Sequence, residues 1–344
     1  MKSITSFIKI NGGINMRYLS AEDIKQVLSM KEAIEEDKKA LSLYSKGKAD
    51  IPLRTNLSVE GYGQSLYMPG TTSGEDPTLG LKIVAVYPDN PKSGLPSVPA
   101  TMITQDAKTG IVNAILDGTY LTQLRTGAIQ GAATDLLSKE DAKFALLIGT
   151  GGQALTQLEA MLTVRNLDTV YVSDRDLEKA EEFCERVTKE FQKTFSTKFV
   201  AVSDPNEVVP KVDIITTVTT SRKATFNGDL VKPGTHINGV GAYTPEMCEI
   251  PAVALQKADK IIFDTLDGVL SEAGDIIQAL EKALIKKADI DGELGQLVNK
   301  DIKGRKSDSD ITIFKTVGTA VLDIIVADKI VQKASLQNIG TILN

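Results

Sequence analysis

A glycine-rich turn near the middle of the chain has the spacing of a dinucleotide-binding loop. It follows the apolar run 145–148 directly and leads into a helical pattern. Glycines at this spacing allow a tight strand-to-helix turn and let the backbone approach a pyrophosphate, which then binds the N–H groups at the start of the helix. The turn therefore predicts a dinucleotide site whose contacts include Gly149, Gly151, Gly152, Gln153 and Ala154.

An acidic residue closes the next β-type run, 169–173, and bears on the choice of cofactor. Asp174 stands where a carboxylate accepts a hydrogen bond from the adenosine ribose and repels a 2′-phosphate. Arg175 follows at once and could stack on adenine or bind that phosphate instead. We therefore expect NAD, and NADP stays possible.

A third polar segment follows the buried-type strand 212–218. Residues at the carboxyl end of a strand in a doubly wound sheet line the ligand crevice, so Thr217, Val218 and Thr219 are expected to contact the cofactor; an ordinary polar loop is the alternative.

His236 lies in the nearby strand pattern 235–238 and is the single histidine. We expect it to be a packed strand residue rather than a proton donor, and no histidine-rich metal site is possible.

Composition limits the class of protein. The chain has 344 residues, of which 42% are hydrophobic and 24% charged, which suits a globular protein with two cores. A net charge of −6 without a basic block argues against nucleic acid or an anionic membrane as partner. Cys184 and Cys248 belong to no cysteine motif, so neither a disulfide framework nor a zinc site is expected, and a cytoplasmic location follows.

The elements around these residues change character along the chain. Helical spacing over 24–44 is followed by strand patterns in 51–68 and 79–116, and by an Ala-rich helix over 119–137. Strands and helices then alternate from 145 to 264, which predicts an α/β fold with a parallel, doubly wound sheet. Long helices are expected over 271–286 and 316–333. The folded part is expected to begin near Met16, with 1–15 an upstream start or a loose extension.

Several motifs together resemble the ornithine cyclodeaminase/μ-crystallin family, in the same order from about residue 17 to the C-terminus. They are Pro52-Leu53-Arg54-Thr55, Gly80-Leu81-Lys82, Gly94-Leu95-Pro96, the segment 117–128 with Leu121-Thr122 and Arg125-Thr126-Gly127-Ala128, the glycine-rich turn 149–154, Asn238-Gly239-Val240-Gly241-Ala242 and Phe314-Lys315-Thr316-Val317-Gly318-Thr319-Ala320.

The resemblance implies a Rossmann domain inserted in a discontinuous α+β substrate and dimerisation domain. The boundaries would be 134–314 for the NAD(P)-binding domain, with 1–133 and 315–344 forming the other. Activities in the family move a hydride between nicotinamide and the α-carbon of an amino or imino acid. A homodimer through the N-terminal β region is expected, because an open antiparallel sheet needs its edges or apolar face covered.

The resemblance also implies a substrate site. Arg54, Lys82 and Arg125 match the family's basic residues that hold the substrate carboxylate, which suits the planar fork of arginine. Lys82 could also act as a general acid if burial lowers its pKa. Ser97 lies where the family often has a small polar residue near the substrate, although a plain turn serine is an equal alternative. Val240, Val317 and Gly318 match segments on the cofactor side.

One position departs from the family. Tyr243 stands where cyclodeaminases and the alanine dehydrogenase branch have an aspartate that serves amine binding and proton transfer. An unperturbed tyrosine is a neutral acid, with a pKa of about 10. In addition, no carboxylate lies near 66–69, where cyclodeaminases have a glutamate that meets the substrate amine. Both differences favour a substrate without a free second amino group, and they make Tyr243 a candidate catalytic residue.

The sequence thus predicts an NAD-dependent oxidoreductase that reduces a small cyclic or linear 2-imino acid, such as pyrroline-2-carboxylate, to the amino acid. Ornithine cyclodeamination and alanine dehydrogenation are the alternative activities. The alternative outside enzymes is a μ-crystallin-like protein that binds the nucleotide without turnover. No metal is expected.

Overall fold

A computed structural model describes residues 16–343, which form two sheets and the helices packed on them. The expectation about residues 1–15 concerns a segment outside this range. The helices are α1 Ala21–Val27, α2 Met30–Ser45, α3 Gly118–Leu137, α4 Ala154–Val164, α5 Leu177–Phe191, α6 Ala252–Lys257, α7 Leu266–Glu272, α8 Gly274–Glu281, α9 Leu294–Val298 and α10 Ala320–Gln337. The strands are β1 Met16–Leu19, β2 Ala49–Asp50, β3 Thr55–Val59, β4 Gly63–Thr72, β5 Leu79–Val86, β6 Ala100–Gln105, β7 Val112–Asp117, β8 Phe144–Ile148, β9 Thr169–Ser173, β10 Lys198–Val202, β11 Ile214–Thr217, β12 His236–Gly239, β13 Lys260–Phe263, β14 Gly292–Glu293, β15 Thr312–Lys315 and β16 Thr341–Leu343.

The first sheet is built mostly from the N-terminal strands. Its order is β16-β1-β7-β6-β5-β4-β2, and β3 pairs with β4 beside that path. All its pairs are antiparallel except β1 with β7. Helix α10 packs on β4, β5 and β6, and α2 and α3 pack against α10. One face of this sheet therefore lies against a helical layer with a large apolar core.

The second sheet is parallel throughout and has the order β10-β9-β8-β11-β12-β15-β13-β14. The chain moves outward from β8 through β9 to β10, then crosses to β11 on the other side of β8. The crevice at the carboxyl ends of β8 and β11 is the usual ligand position in such sheets. The α/β prediction with a doubly wound sheet is confirmed.

Two predicted long helices are each broken in two. The pattern over 24–44 forms α1 and α2, because Ser29 caps α2 in a reciprocal hydrogen-bond pair with Glu32 and the chain is extended at Leu28. The pattern over 271–286 covers only the last two residues of α7, then α8, and the chain leaves the helix after Glu281. Ala273 is non-helical between α7 and α8, and a side chain at Gly274 would collide with the carbonyl oxygens of the 244–247 loop. Periodicity alone would continue both helices. The first break comes from a local capping pair, whereas the second comes from packing against the 244–247 loop.

The C-terminal helix also differs from its prediction of 316–333, since α10 begins at Ala320. The carboxylate of Asp264 accepts hydrogen bonds from the Thr316 hydroxyl and from the N–H groups of Val317 and Gly318. These bonds hold 316–318 out of the helix, and Gly318 has a φ of +78°. The segment before α10 is thus a fixed loop at the carboxyl end of β15.

No helix within residues 16–343 has both the length and the apolar character needed to cross a membrane.

Candidate functional site

A buried carboxylate links two of the predicted basic residues. Asp323 on α10 lies 2.7 Å from Lys82 Nζ through Oδ2 and accepts a hydrogen bond of 2.9 Å from Arg125 Nε through Oδ1. Lys82 comes from β5 and Arg125 from α3, so three elements meet at this point. Lys82 is only 1% exposed. Burial and the neighbouring Arg125 together lower the pKa of Lys82 to about 7, although Asp323 opposes the shift.

Gly318 lies between the two predicted arginines. Arg54 Nη2 is 3.3 Å from the Gly318 carbonyl oxygen, and a side chain built on Gly318 would come within 2.5 Å of Arg125 Nη1. The resemblance predicted that this glycine allows close approach of the cofactor. In the structure the lack of a side chain on Gly318 also makes room for the guanidinium of Arg125, so the two arginines meet at one backbone segment.

Arg54 is engaged by an acid that the sequence analysis did not identify. Its Nη2 lies 2.5 Å from Oε2 of Glu272, at the end of α7, and 3.4 Å from the Val317 carbonyl oxygen. Both side chains of the ion pair are partly exposed, Arg54 by 18% and Glu272 by 23%. Burial raises the pKa of Glu272, although Arg54 acts in the opposite direction.

A cavity of about 370 Å³ opens beside this ion pair. Its lining combines apolar side chains from the first sheet region with the 318–320 segment and α7. Arg54 and Glu272 supply charge within it, together with Asp267, and the apolar side chains include Ile51, Leu53 and Met68. A cavity of this size suits a small carboxylic acid.

The charges around the cavity favour an anionic ligand. Three cationic side chains, Arg54, Lys82 and Arg125, face two ion-paired carboxylates, Glu272 and Asp323. Asp37 of α2 is fully buried and finds no hydrogen-bond partner within residues 16–343. Burial raises the pKa of Asp37 well above its usual range, which favours its neutral form. Arg54 and Arg125 stay cationic throughout the accessible pH range, and this suits an anionic ligand. Asp267 and the lowered pKa of Lys82 remove any net surplus of positive charge.

Tyr243 and Ser97 differ in their relation to this cluster. Tyr243 is half-buried after β12, and burial raises the pKa of its phenol while the charge of Arg54 opposes that shift. Ser97 lies in an exposed loop between β5 and β6, where its carbonyl oxygen accepts from Tyr87 N. The structure brings no basic residue of the trio to Ser97.

The glycine-rich turn has the open backbone that a pyrophosphate needs. Gly149 has a φ of +104°, and a side chain there would collide with the Val218 carbonyl oxygen. A side chain on Gly151 would meet nothing within 4 Å, and one on Gly152 would meet only Gln123 at 3.9 Å. Gln153, just before Ala154 at the start of α4, has a buried Oε1 without a partner among the described residues. An open cradle with an unsatisfied polar atom fits a bound dinucleotide.

Asp174 accepts hydrogen bonds from the same glycine-rich turn. Its Oδ2 accepts from Thr150 N at 3.1 Å and from Thr150 Oγ1 at 2.8 Å. Burial alone would raise the pKa of Asp174, but hydrogen bonds from Thr150 and Asp176 outweigh it and lower the pKa. The carboxylate therefore stays ionised beside the turn, while Arg175 is exposed.

A second buried carboxylate joins two loops at the carboxyl edge of the parallel sheet. Glu249 Oε1 accepts from Thr219 N at 2.5 Å, and Oε2 accepts from Gly241 N at 2.6 Å and Ala242 N at 2.8 Å. Thr219 follows β11, and Gly241 follows β12. One side chain thus fixes the two loops that flank the predicted nicotinamide position.

The other residues predicted at the carboxyl edge of the parallel sheet are largely buried. Thr217 is fully buried, and its hydroxyl donates to the Asn238 carbonyl oxygen at 3.3 Å. Val218 and Val240 are 9% and 8% exposed. His236 is packed between Thr312 and Asn238, and burial lowers its pKa to about 3. The neutral, enclosed imidazole is a strand residue, as predicted.

The residues that sequence reasoning missed are acids that the fold buries fully or in part. Asp323 interrupts the run 320–327, and Asp37 lies on the buried face of α2. That interruption was a usable signal, because buried carboxylates are rare without a partner or a function. Glu249 and Glu272 lie in polar stretches, so their roles follow only from the fold. Within residues 16–343 no group of three or more His, Cys, Asp or Glu side chains is placed to hold a metal ion.

Known proteins resemble this chain over nearly its whole length. The model described as the ornithine cyclodeaminase/mu-crystallin family matches residues 15–338. A delta(1)-pyrroline-2-carboxylate reductase of Bacillus cereus is 36% identical over 326 residues, covering 94% of this chain and 98% of that protein.

Two solved structures have the same architecture. Delta(1)-pyrroline-2-carboxylate reductase of Thermococcus litoralis, in complex with NADH and L-proline, has a TM-score of 0.90 and 38% identity and covers 95% of this chain and 99% of its own. An archaeal alanine dehydrogenase dimer with bound NAD has a TM-score of 0.86 and 34% identity, with coverage of 96% and 99%.

Proposed function

Because the chain belongs to the ornithine cyclodeaminase/mu-crystallin family, as its motifs predicted, we propose that it is an NAD-dependent oxidoreductase that reduces a small 2-imino acid to the amino acid. A cyclic ketimine such as Δ1-pyrroline-2-carboxylate is the first candidate substrate, and linear imino acids are the second. The observation that carries the proposal is the meeting of Arg54 and Arg125 at Gly318 beside a small cavity, with Lys82 joined to Arg125 through Asp323. Reductases of this substrate, at 36% and 38% identity, support it.

In this proposal the basic trio binds the substrate carboxylate. Arg54 and Arg125 offer planar forks, and Lys82 adds a point charge. Holding the carboxylate fixes the position of the neighbouring imine carbon, which is where the reduction occurs. Lys82 has a second possible role, since an ammonium with a pKa of about 7 can give a proton to the product nitrogen near neutral pH. Tyr243 is the other candidate proton donor.

The cofactor we propose is NAD, held at the carboxyl edge of the parallel sheet. Bound there, its reduced nicotinamide would supply the hydride. The 149–154 turn would hold the pyrophosphate, and Thr219, Val240, Val317 and Gly318 would lie along the nicotinamide half. The bound cofactor would supply a hydrogen-bond partner for Oε1 of Gln153, which is buried and has no such partner among the described residues.

Asp174 is the residue we expect to select NAD over NADP. Its ionised carboxylate would repel a 2′-phosphate, whereas Arg175 beside it would attract one. Replacing Asp174 by Ser removes the repulsion, so the ratio of NADPH to NADH use should rise, by about 10-fold on the scale of one lost charge contact. Rates with both cofactors measure this ratio. Wild-type protein that binds NADPH as tightly as NADH would refute the assignment.

Two alternative activities rest on specific observations. Alanine dehydrogenation is supported by the archaeal neighbour at 34% identity. Ornithine cyclodeamination is less favoured, because Tyr243 replaces the expected aspartate and the cavity carboxylate nearest to Arg54, Glu272, is paired with that residue. A protein that binds the nucleotide without turnover is the alternative outside enzymes.

A substrate panel decides among these candidates. Purified protein is given NADH or NADPH with Δ1-pyrroline-2-carboxylate, and separately with pyruvate and ammonia, while the absorbance of the reduced cofactor is followed. Ornithine with catalytic NAD, assayed for ammonia and proline, forms the third arm. We expect the fastest oxidation of NADH with the ketimine. Turnover of ornithine alone would overturn the proposal, and tight NADH binding with no turnover on any arm would favour a binding protein.

We further propose a two-domain homodimer that works in the cytoplasm. The domain boundaries remain those predicted, 134–314 for the nucleotide-binding domain and 1–133 with 315–344 for the other. The dimeric state of the archaeal neighbour supports the assembly. Cys184 and Cys248 are free thiols, which suits a reducing compartment.

A further inference from the structure

The Arg54–Glu272 ion pair occupies the nitrogen that a substrate carboxylate would need. All hydrogen bonds that Arg54 makes within residues 16–343 are donated by Nη2, to Glu272 and to the carbonyl oxygens of Val317 and Gly318. A guanidinium has two edges that can bind a carboxylate with two parallel hydrogen bonds, Nε with Nη2 and Nη1 with Nη2. Both edges include Nη2. Nη2 has two hydrogens, one on each edge, and the three acceptors share them. A carboxylate can therefore bind either edge with two hydrogen bonds only if it displaces one of these acceptors.

Glu272 is the one of these three acceptors that can move. Val317 and Gly318 present backbone oxygens, and their N–H groups are fixed by Asp264. Glu272 reaches Arg54 through a flexible side chain at the last residue of α7, and it is partly exposed to the cavity. It can swing away into the open space without disturbing the helix.

We infer that Glu272 is an internal competitor for the substrate carboxylate at Arg54. It keeps the guanidinium paired and correctly placed when no substrate is bound, and it is displaced when a small carboxylic acid enters. The residue thereby sets the affinity for substrate and favours ligands whose carboxylate can replace its own. This inference rests on the proposed function for the identity of the substrate, but the exchange of carboxylates at Arg54 can be tested without any turnover.

The test measures binding to the protein saturated with NADH. Propionate, a carboxylate without nitrogen, and L-proline are titrated by isothermal calorimetry into wild-type protein and Glu272→Gln. Removing the competing charge should lower both dissociation constants by about 2- to 5-fold, the range expected for a partly solvated ion pair. Glu281→Gln is the matched control, because Glu281 is likewise the last residue of its helix, α8, but is exposed and lies outside the cavity lining. Its dissociation constants should equal those of wild type.

Other outcomes of this binding experiment would contradict the inference or the proposed function. Weaker binding by Glu272→Gln would mean that Glu272 supports Arg54 in the bound state, and unchanged binding would mean that it does not meet the ligand; either overturns the inference. Glu272→Ala, which offers no amide in place of the carboxylate, must tighten binding as well. Failure of all variants to bind either carboxylate also overturns it. Tighter propionate binding in a protein that reduces no imine would reject the proposed function and retain the competition.

Discussion

Lys82 is the residue whose protonation state should control substrate capture. Burial and Arg125 lower the pKa of its ammonium to about 7 against the opposing effect of Asp323. The cation exists below that pKa and is lost above it, so the free enzyme loses one carboxylate-binding charge as pH rises through about 7. We predict that kcat/KM for the imino acid falls above this pH, approaching tenfold per pH unit.

Lys82→Arg provides the comparison, because a guanidinium stays protonated throughout the accessible range. We propose measuring kcat/KM for both proteins from about pH 6 to about pH 9, around the shifted pKa. Titration of the substrate imine affects both proteins equally, so the ratio of the two values isolates Lys82. A ratio that is constant with pH would contradict the assignment.

Arg125 should be needed for its shape as well as its charge. One of its nitrogens is held by Asp323, and Gly318 lies against its outer face. Arg125→Lys keeps the positive charge but loses the planar fork, so kcat/KM should fall about 10-fold or more while NADH affinity is unchanged. Truncation to Ala is a poorer test, because it would leave Asp323 of a buried pair without its partner and so change stability as well.

Arg165→Lys is a matched control for Arg125→Lys. Arg165 is equally buried, but it donates to the carbonyl oxygens of Lys139 and Asp135, away from the cavity. Its replacement should lower the melting temperature and leave kcat/KM of the folded protein near the wild-type value. If Arg125→Lys shows the same pattern, then Arg125 is a structural residue and the carboxylate site must be formed by Arg54 and Lys82.

At the scale of elements, the sequence predicted strands better than helices. The bounds of β9 match the predicted 169–173, because a short β-branched run between polar turns leaves little choice of register. The helix breaks at Ser29 and Ala273 were missed. Ser29 carries a local signal, the Ser–Glu capping pair, whereas Ala273 ends α7 only because the 244–247 loop packs against Gly274.

The candidate site could likewise be predicted from the sequence only in part. The basic trio could be listed from the resemblance. The structure places Arg54 and Arg125 against Gly318 and joins Lys82 to Arg125 through Asp323. Their acidic partners could not be paired from sequence, because Asp323 lies 198 positions after Arg125 and Glu272 lies 218 positions after Arg54. Which acid meets which base depends on how the two sheets pack, and periodicity does not encode that.

The two loops joined by Glu249 lead to a prediction about cofactor affinity. One oxygen of Glu249 accepts from Thr219 and the other from Gly241 and Ala242. In Glu249→Gln the amide nitrogen must face one of these donors, so one loop loses its anchor whichever way the amide turns. The dissociation constant of NADH, measured by fluorescence, should rise about 10-fold, corresponding to about 1.4 kcal/mol.

Glu246→Gln is the control for that experiment, since Glu246 is an exposed acid in the same loop. It should bind NADH as the wild type does. Thermal melting of each variant separates the two possible roles of Glu249. An unchanged dissociation constant together with a lower melting temperature would show that the carboxylate stabilises the fold without positioning the cofactor loops.

At the scale of the whole molecule, the site depends on both halves of the chain. The basic residues come from the first sheet region and α3, whereas Glu272 and the 316–318 loop follow strands of the parallel sheet. Helix α10 then returns the chain to the first sheet and brings Asp323 to Lys82 and Arg125. Substrate and cofactor would therefore meet where the two sheets face each other, and neither half alone would hold both.

The first sheet also carries the surface on which we predict dimerisation. Strand β3 pairs with β4 on one side and is exposed along its whole length. Leu57 and Val59 on it are 53% and 45% exposed, and Tyr62 in the following turn is 73% exposed. An exposed apolar edge strand is a liability in a monomer, because its free backbone groups and side chains can pair with another chain. A second copy covering β3 would remove that liability in a closed two-fold arrangement.

Light scattering at micromolar concentration should therefore give about twice the 37.0 kDa chain mass. Leu57→Asp combined with Val59→Asp places two charges in the proposed contact and should shift the protein to the mass of one chain. Val200→Asp is the control, since Val200 is a 40% exposed residue on β10, an edge strand of the other sheet. That variant should stay dimeric if the contact is specific to β3. A wild-type mass near 37.0 kDa would refute the dimer. If the Leu57→Asp/Val59→Asp variant stays dimeric while Val200→Asp becomes monomeric, then the interface lies on the parallel sheet instead of β3.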